Sequence, residues 1–170
     1  NCYDGQFFFD TDHPVLDKDG AVTTYANTDG GAGTPWFLVC SKRVIKPIVW
    51  TNRKPWTFTA KDNVTDDNVF MKKEFLYGTD ARYNVGYGFP QMSWGSKQTL
   101  DAAAYATGRA AIMGMKGDYG RPLGLVPDLL IVPPSLESAA RKIVNSEYGT
   151  GGVTNEWKDT AELLVVPWLA

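Results

Sequence analysis

The residues whose types and spacing come nearest to a chemical site lie close to the start of the chain, where Asp10, Asp12 and His13 occur together. Carboxylate oxygens and imidazole nitrogens are ligands of divalent metals. A catalytic metal ion usually needs about three protein ligands, His13 is the only histidine of the chain, and Pro14 beside it indicates a turn. We therefore expect His13 to be structural, and we predict no metal site and no cofactor.

Other catalytic patterns are also incomplete. A nucleophilic triad would have to include His13, and no serine or cysteine lies in a nucleophile context such as Gly-x-Ser-x-Gly. Gly86 and Gly88 begin a dinucleotide-like pattern that fails because position 91 is glutamine. Asp118 and Asp128 lie near glycines but not in the alternating oxygen pattern of a calcium loop. The sequence predicts no catalytic residue, and we expect a protein that is not an enzyme.

Charge is segregated along the chain, although the formal net charge is only −2. Residues 1–30 contain six aspartates and one lysine, whereas residues 41–61 contain six lysines and arginines and no acid. Opposite charges on two patches favour the correct register when subunits associate head to tail. We expect the two stretches to meet across subunit boundaries, with solvated loops as the alternative. The candidate interface residues are Lys42, Arg43, Lys46, Arg53, Lys54, Asp10, Asp12 and Asp17.

The secondary-structure elements that must position these residues differ between three segments of the chain. Residues 1–35 form an acidic, loop-rich segment, residues 36–98 a β-rich region and residues 99–170 an α/β region of one structural unit. Runs of β-branched and aromatic residues in the β-rich region predict strands of a twisted antiparallel sheet. These runs are residues 36–40, 47–51, 56–59, 69–71 and 74–77.

Helical and strand patterns alternate in the last segment, which predicts a small α/β layer. Thr99 is the expected N-cap of a thin, alanine-rich helix that ends near residue 115 and lies close to a sheet. Residues 129–132 and 163–166 are expected to be buried strands, and Ser135 to cap a second helix. The expected inward residues are Leu100, Ala104, Thr107, Ala111 and Met115 in the first helix, and Leu136, Ala139, Ala140, Ile143 and Val144 in the second.

Composition excludes several classes of protein. A chain of 170 residues with 44% hydrophobic and 21% charged residues is typical of one globular domain. The acidic balance does not favour nucleic-acid binding, and no apolar run approaches the roughly 18–20 residues of a membrane span.

Cys2 and Cys40 are expected to be reduced thiols. Six tryptophans and eight tyrosines would suit a sugar-binding face, although aromatic residues more often form cores and subunit interfaces.

Several separated segments resemble, in order, the major head subunit (gene product T) of Mu-like phages and prophages. In the first half these are Tyr3-Asp4-Gly5-Gln6, Phe8-Phe9-Asp10, His13-Pro14, Lys46-Pro47-Ile48, Val69-Phe70-Met71, Glu74-Phe75 and Tyr77-Gly78. In the second half they are Gly86-Tyr87-Gly88-Phe89, Gly120-Arg121-Pro122-Leu123-Gly124, Val132-Pro133-Pro134, Leu136-Glu137, Ala140 and Val165-Val166. No single segment is specific, but the ordered set is.

The resemblance implies the Hong Kong 97-like capsid fold, which is α/β (α+β) in class. It implies subunits that form pentamers and hexamers of an icosahedral head around double-stranded DNA, without sequence-specific binding and without catalytic residues. Scaffold, portal or decoration proteins would be further partners, and the protein would assemble in the host bacterial cytoplasm and reside in the virion. The family's chain is longer at its N-terminal end, so we expect a fragment or a processed product.

Three alternatives remain open at this point. The chain could be a sugar-binding, β-rich tail or receptor-binding module, which would appear as a monomer or trimer with affinity for glycans. It could be a metal-dependent hydrolase that uses His13. Within the capsid interpretation, the basic stretch could face packaged DNA instead of a neighbouring subunit.

Overall fold

The computed structural model describes residues 1–149 and 151–169. It divides into two compact units, of which the first comprises Asn1–Pro47 and Tyr87–Ala170 and the second Ile48–Gly86. The three segments expected from composition are 1–35, 36–98 and 99–170. Their boundaries do not coincide with those of the compact units, so the three segments stay a prediction from the sequence. None of the helices described is long and apolar enough to cross a membrane.

Nine strands and three α-helices make up the described structure. The strands are β1 (His13–Leu16), β2 (Val22–Tyr25), β3 (Thr28–Gly30), β4 (Trp36–Val39), β5 (Ile48–Lys61), β6 (Leu76–Tyr87), β7 (Ser93–Ser96), β8 (Leu129–Val132) and β9 (Glu162–Val165). The helices are α1 (Asp67–Lys72), α2 (Ala102–Met113) and α3 (Glu137–Val144). Short 3₁₀ turns cover Pro90–Met92, Asp118–Gly120, Pro134–Leu136 and Pro167–Leu169.

The centre of the first unit is a five-stranded mixed sheet in the order β3-β7-β4-β8-β9. Strand β4 is antiparallel to both of its neighbours, whereas the outer pairs β3–β7 and β8–β9 are parallel. Trp36, Leu38, Leu130 and Val132 are completely buried in the core beneath it. The predicted strand at 129–132 is confirmed, and none of its residues is exposed.

Helix α2 lies against this sheet, but its details differ from the prediction. Asp101, not Thr99, is the N-cap, and its carboxylate accepts the Ala104 N–H at 2.8 Å. The residues of the helix that are fully buried are Tyr105, Gly108 and Ile112. The predicted stripe was wrong at Thr107, which is exposed. Leu100 and Met115 are buried as predicted but lie outside the helix. The close approach to the sheet occurs at the glycine, whereas the alanines are half-buried or exposed.

Helix α3 confirms the predicted buried face, with Ala140, Ile143 and Val144 in the core. Leu136 and Ala139 pack against that core from the side. The prediction of Ser135 as N-cap was wrong, because a 3₁₀ turn occupies residues 134–136 and no side chain caps the helix. The final strand runs from 162 to 165, one residue earlier than predicted. The expected burial of this strand was wrong, because only its alternate residues are partly shielded from solvent.

The second unit is a two-stranded ribbon formed by β5 and β6. The prediction of one antiparallel sheet in the β-rich region was wrong, because β4 and β7 belong to a different sheet from the ribbon. The runs 47–51 and 56–59 belong to one 14-residue strand that continues through Pro55. The run 69–71 lies in helix α1, where Asp67 in the first turn and Lys72 in the last turn complement the helix dipole. Lys73 ends α1 in the left-handed conformation, with φ of 56°.

Candidate assembly surfaces

His13 is completely buried, and its partner is a carboxylate that the sequence did not single out. Its Nδ1 atom lies 2.7 Å from Oδ2 of Asp4. The imidazole also stacks on the ring of Tyr25, its partner in the β1–β2 pairing, with 5.1 Å between ring centroids. These contacts support a structural role for His13, since they attach the first residues of the chain to a β-hairpin.

The structure does not gather Asp10, Asp12 and His13 into one site. A carboxylate oxygen of Asp10 accepts the N–H of Thr11, and Asp12 accepts the Thr11 hydroxyl. Within residues 1–149 and 151–169, no group of three or more His, Cys, Asp or Glu side chains is arranged to hold a metal ion. The described geometry therefore gives no support to a hydrolase centred on His13.

The Asp4 carboxylate is the charged group at the centre of this buried cluster. Burial by itself raises its pKa, but hydrogen bonds from His13 and from the Gln6 N–H, with the charge on His13, lower it below the ordinary value. Burial raises the pKa of the Cys2 thiol and of the Tyr25 hydroxyl, and the negative charge of Asp4 adds to both effects. These two neighbours are therefore held in their neutral forms.

Three of the predicted interface cations lie on the loop that joins β4 to β5, which we call the basic loop (residues 41–46). Lys42, Arg43 and Lys46 are all exposed. The Arg43 guanidinium donates to the carbonyls of Leu123 and Gly124, and Lys46 donates to the Ser41 carbonyl. The loop is thus held by its own hydrogen bonds while its cationic side chains remain at the surface.

The other two predicted cations, Arg53 and Lys54, lie on β5 in the second compact unit. Lys54 forms an ion pair with Asp80 of β6. Arg53, Lys54, Asp80 and Arg82 surround a shallow depression on the ribbon. The basic stretch of the sequence is therefore divided between two units.

Asp17, the remaining predicted acidic residue, closes the turn between β1 and β2. Its Oδ1 atom accepts the N–H groups of Asp19 and Ala21 at 2.8 and 2.9 Å. Such a turn is what an aspartate followed by small, polar and glycine residues favours. The carboxylate has a local structural role, and its charge remains close to the surface.

A groove with mainly apolar walls opens beside the basic loop, with a volume of about 500 Å³. Its floor includes Gln91, which is buried and whose amide nitrogen approaches the Tyr3 hydroxyl at 3.4 Å. Arg43 and Asp118 are the charged residues along it, and the Asp118 carboxylate accepts the Leu16 N–H. Its apolar walls include Tyr3, Val44, Ile45, Phe89, Met92 and Leu125.

The ribbon carries a group of aromatic side chains that remain exposed at its surface. Trp50 stacks on Tyr83 with 4.7 Å between ring centroids, and Phe58 stacks on Tyr77 at 5.8 Å. Trp56 lies beside Tyr83 and is 70% exposed. A two-stranded hairpin is at best marginally stable alone in water, and large exposed apolar patches mark interaction sites. The ribbon therefore has the properties of an element that packs on another protein surface.

Sequence reasoning missed the polar side chains that hold the loops of the first unit. Asn27 is completely buried, and its amide donates to the carbonyls of Phe8 and Pro90. Arg109 of α2 donates to the carbonyls of Pro127 and Thr160. No local signal identifies such residues, because their partners are many positions away in the sequence.

Comparison with known proteins identifies the family. The family model described as Mu-like prophage major head subunit gpT matches residues 1–169. The major capsid protein of Escherichia phage Mu is 37% identical over 177 residues, which cover 99% of this chain and 58% of that protein. The chain thus spans a little over half the length of that relative.

Solved structures confirm the expected fold class. A chain of the procapsid of bacteriophage JBD30 is 36% identical and superposes with a TM-score of 0.80, over 98% of this chain and 58% of its own length. A chain of the JBD30 capsid decorated with minor capsid protein trimers is 23% identical, with a TM-score of 0.77 over 99% of this chain and 57% of that one, and shows the fold alone. The matched proteins are head components and not sugar-binding tail modules. The chain has the phage capsid fold and belongs to the Mu-like prophage major head subunit gpT family.

Proposed function

We propose that this chain is the assembling portion of a major head subunit, which joins copies of itself as pentamers and hexamers into the icosahedral shell of a Mu-like tailed phage or prophage. The observation that carries the proposal is the close superposition on the JBD30 procapsid chain over nearly all of this chain, at 36% identity. Identity at this level along the whole superposed length favours a shared role as well as a shared fold.

The surfaces of the chain support this assignment. The ribbon exposes long apolar side chains on a two-stranded element that needs external packing. The groove beside the basic loop is a second surface with exposed apolar residues, among them Val44 and Tyr3. Subunit interfaces combine such apolar centres with polar rims. A protein that builds a shell needs several such surfaces on each copy.

The role that we propose is structural and not catalytic. The subunit resides in the virion after assembly in the host bacterial cytoplasm, and it encloses double-stranded DNA without reading its sequence. Scaffold, portal or decoration proteins are its further partners. The formal charge of −2 supports enclosure rather than tight DNA binding, since a chain without a basic excess neutralises few phosphates.

We assign the segregated charges to subunit boundaries. The basic residues Lys42, Arg43, Lys46, Arg53 and Lys54 and the acidic residues Asp10, Asp12 and Asp17 are the proposed interface residues. Charges at the rim of an interface mainly set the rate and register of association. The exposure of the basic loop supports this role, since its side chains are available to a neighbour.

The experiment that tests the proposed function is expression of the full-length gene, followed by electron microscopy and sedimentation of the product. Shells or isolated pentamers and hexamers are the expected result. A product that stays monomeric or trimeric and binds glycans would contradict the proposal and favour the tail-module alternative.

A further inference from the structure

We propose that the apolar groove beside the basic loop receives the side chain of Trp168 from a second copy of this chain. Trp168 lies in the 3₁₀ turn Pro167–Leu169, which follows β9. No residue of this turn lines the groove of its own copy, so the turn and the groove are two different surfaces of the first compact unit. The inference rests on the proposed self-assembly, since two different surfaces that fit each other join copies head to tail and can close a ring.

Trp168 has the properties of an interface anchor. It is 91% exposed, more than any other aromatic side chain among the described residues. It lies in an uncharged apolar run, residues 163–169, with the sequence Leu-Leu-Val-Val-Pro-Trp-Leu. Tryptophan is among the residues that most often dominate the binding energy of an interface, typically by filling a pocket on the partner.

The turn that carries Trp168 is held in place before any partner binds. Pro167 has a fixed φ, and the Leu169 N–H donates to the Val166 carbonyl at 3.2 Å. The Val166 N–H donates in turn to the carbonyl of Val132 in β8 at 2.9 Å, which anchors the turn to the sheet. Docking of Trp168 would therefore cost little ordering of the backbone.

The groove supplies an apolar surface for one large side chain. Val44 is 99% exposed at its edge, and Ile45 and Phe89 are 54% and 44% exposed. Its volume of about 500 Å³ lies within the range of pockets that hold small organic ligands. An indole ring is small enough to enter such a groove and apolar enough to cover these side chains.

The charged residues of the groove balance each other, which favours a neutral occupant. They are one cation, Arg43, and one acid, Asp118. The guanidinium of Arg43 is exposed, and its hydrogen bonds to the carbonyls of Leu123 and Gly124 hold it in place. A guanidinium fixed in this way can lie over the face of an aromatic ring as a cation–π contact.

Asp118 provides the acceptor that an indole N–H needs. It is exposed, and its Oδ1 atom accepts the Leu16 N–H at 3.0 Å. Its Oδ2 atom has no hydrogen-bond partner among the described residues and is free to accept a second donor. Trp168 combines an apolar ring, a π face and a single N–H donor, which are the three features that this groove matches.

Other exposed aromatic residues of the first unit match the groove less well. Phe7 is 71% exposed but has no donor. Tyr148 is 63% exposed and has a donor, but it follows the charged Glu147. Neither lies in an uncharged run as long as that around Trp168.

Disulfide trapping between two differently tagged copies of the full-length protein tests the docking. One copy carries Val44→Cys at the edge of the groove, and the other carries Leu169→Cys beside the docked residue. The native Cys2 and Cys40 are buried and should not react. Mild oxidation should produce a linked dimer that contains both tags.

The matched control pairs Leu169→Cys with Val153→Cys, an exposed valine that does not line the groove. It should yield at least about tenfold less linked dimer, because docking raises the effective concentration only at the groove. Equal yields from the Val44 and Val153 pairings would overturn the proposal.

Variants of Trp168 separate its contribution from mere proximity. Trp168→Ala in the Leu169→Cys copy should lower the yield with Val44→Cys at least about tenfold, since the anchor is lost. Trp168→Phe keeps a ring without the N–H donor and should give an intermediate yield. Tyr148→Ala removes another exposed aromatic side chain and should leave the yield unchanged. An unchanged yield with Trp168→Ala would show that Trp168 does not fill the groove.

The reactivity of Val44→Cys in assembled shells gives an independent measurement. A maleimide should react with this thiol at least about tenfold more slowly in shells than in free subunits, because the docked turn covers it. Equal rates would show that the groove stays open and would overturn the proposal. Failure of the parent protein to form shells would instead contradict the proposed function, so the two failures are distinguishable.

Discussion

Nδ1 of His13 and Oδ2 of Asp4 lie 2.7 Å apart, and the two side chains are only 0% and 3% exposed. Removal of one member of such a buried pair leaves the other without its partner, which costs about 3 kcal/mol. We expect His13→Ala to lower the free energy of unfolding by about this amount, as measured by urea denaturation. A metal ion that survives dialysis in the parent and is lost in this variant would contradict the structural role.

The same pair makes the stability of the fold depend on pH. The pKa of Asp4 is lowered from its ordinary value of 3.8 in the folded state. The carboxylate therefore contributes stability above that pH and loses the contribution as the pH falls through the lowered value. We expect Asp4→Asn to flatten the decline of the denaturation midpoint below about pH 4. Asp12→Asn, which changes an exposed carboxylate, is the matched control, and equal slopes in both variants would refute the expectation.

Gly108 of α2 faces the sheet so closely that a Cβ atom there would lie 2.8 Å from Cδ1 of Trp94 and 3.1 Å from Cδ1 of Leu38. Gly→Ala in a helix normally gains up to about 1 kcal/mol. Here we expect Gly108→Ala to destabilise the protein by about 1–3 kcal/mol, because overpacking a buried contact outweighs helix propensity. Thr107→Ala, on the exposed side, should be nearly neutral. A raised thermal midpoint for Gly108→Ala would show that the helix can move away from the sheet.

The N-cap of α2 gives a direct test of the corrected helix start. The Asp101 carboxylate accepts the Ala104 N–H at 2.8 Å, so Asp101→Ala should cost about 1 kcal/mol. Thr99→Ala should change the denaturation midpoint much less, since Thr99 lies outside the capping geometry. If Thr99→Ala lowered the denaturation midpoint more than Asp101→Ala did, Thr99 would be the N-cap, as the sequence indicated.

The elements that the sequence predicted correctly are those with a strong local pattern. The strand at 129–132 and the inward face of α3 follow from apolar runs and 3.6-residue periodicity. The cap was misplaced by two residues because Thr99 and Asp101 both suit an N-cap, and only the backbone geometry at Asp101 selects between them. The run at 69–71 was too short for its period to distinguish a helix from a strand.

Features that depend on distant partners could not be predicted. The contact between Asp4 and His13 requires the fold of β1 against the first residues, and the close approach at Gly108 requires the position of Trp94. The continuity of β5 through Pro55 was also hidden, because a proline usually interrupts a strand unless it lies on an edge. In a two-stranded ribbon each strand has an open edge, so the proline is tolerated. The segregated charges were visible in the sequence, but their division between two units was not.

The basic loop provides the most direct test of charge in assembly. Lys42→Glu with Lys46→Glu reverses two exposed cations but keeps Arg43, whose guanidinium holds the carbonyls of Leu123 and Gly124. We expect the full-length variant to stay folded, with only a small fall in thermal midpoint from loss of the exposed hydrogen bond between Lys46 and the Ser41 carbonyl. It should assemble at least about tenfold more slowly, because the loop would repel an acidic neighbour. Light scattering measures the assembly rate. Raised salt should slow the parent and change the variant little, since exposed charges are screened over roughly 8 Å at physiological ionic strength.

The matched control for this charge reversal is Lys97→Glu with Lys142→Glu, which makes the same change of net charge at exposed positions away from the basic loop. This control should assemble at the rate of the parent, because only cations that face a neighbouring subunit steer its approach. If the basic-loop variant assembles normally and only DNA retention falls, the loop faces the packaged genome and not another subunit. If both variants slow assembly equally, the effect belongs to the net charge and not to the loop, and the interface assignment is wrong.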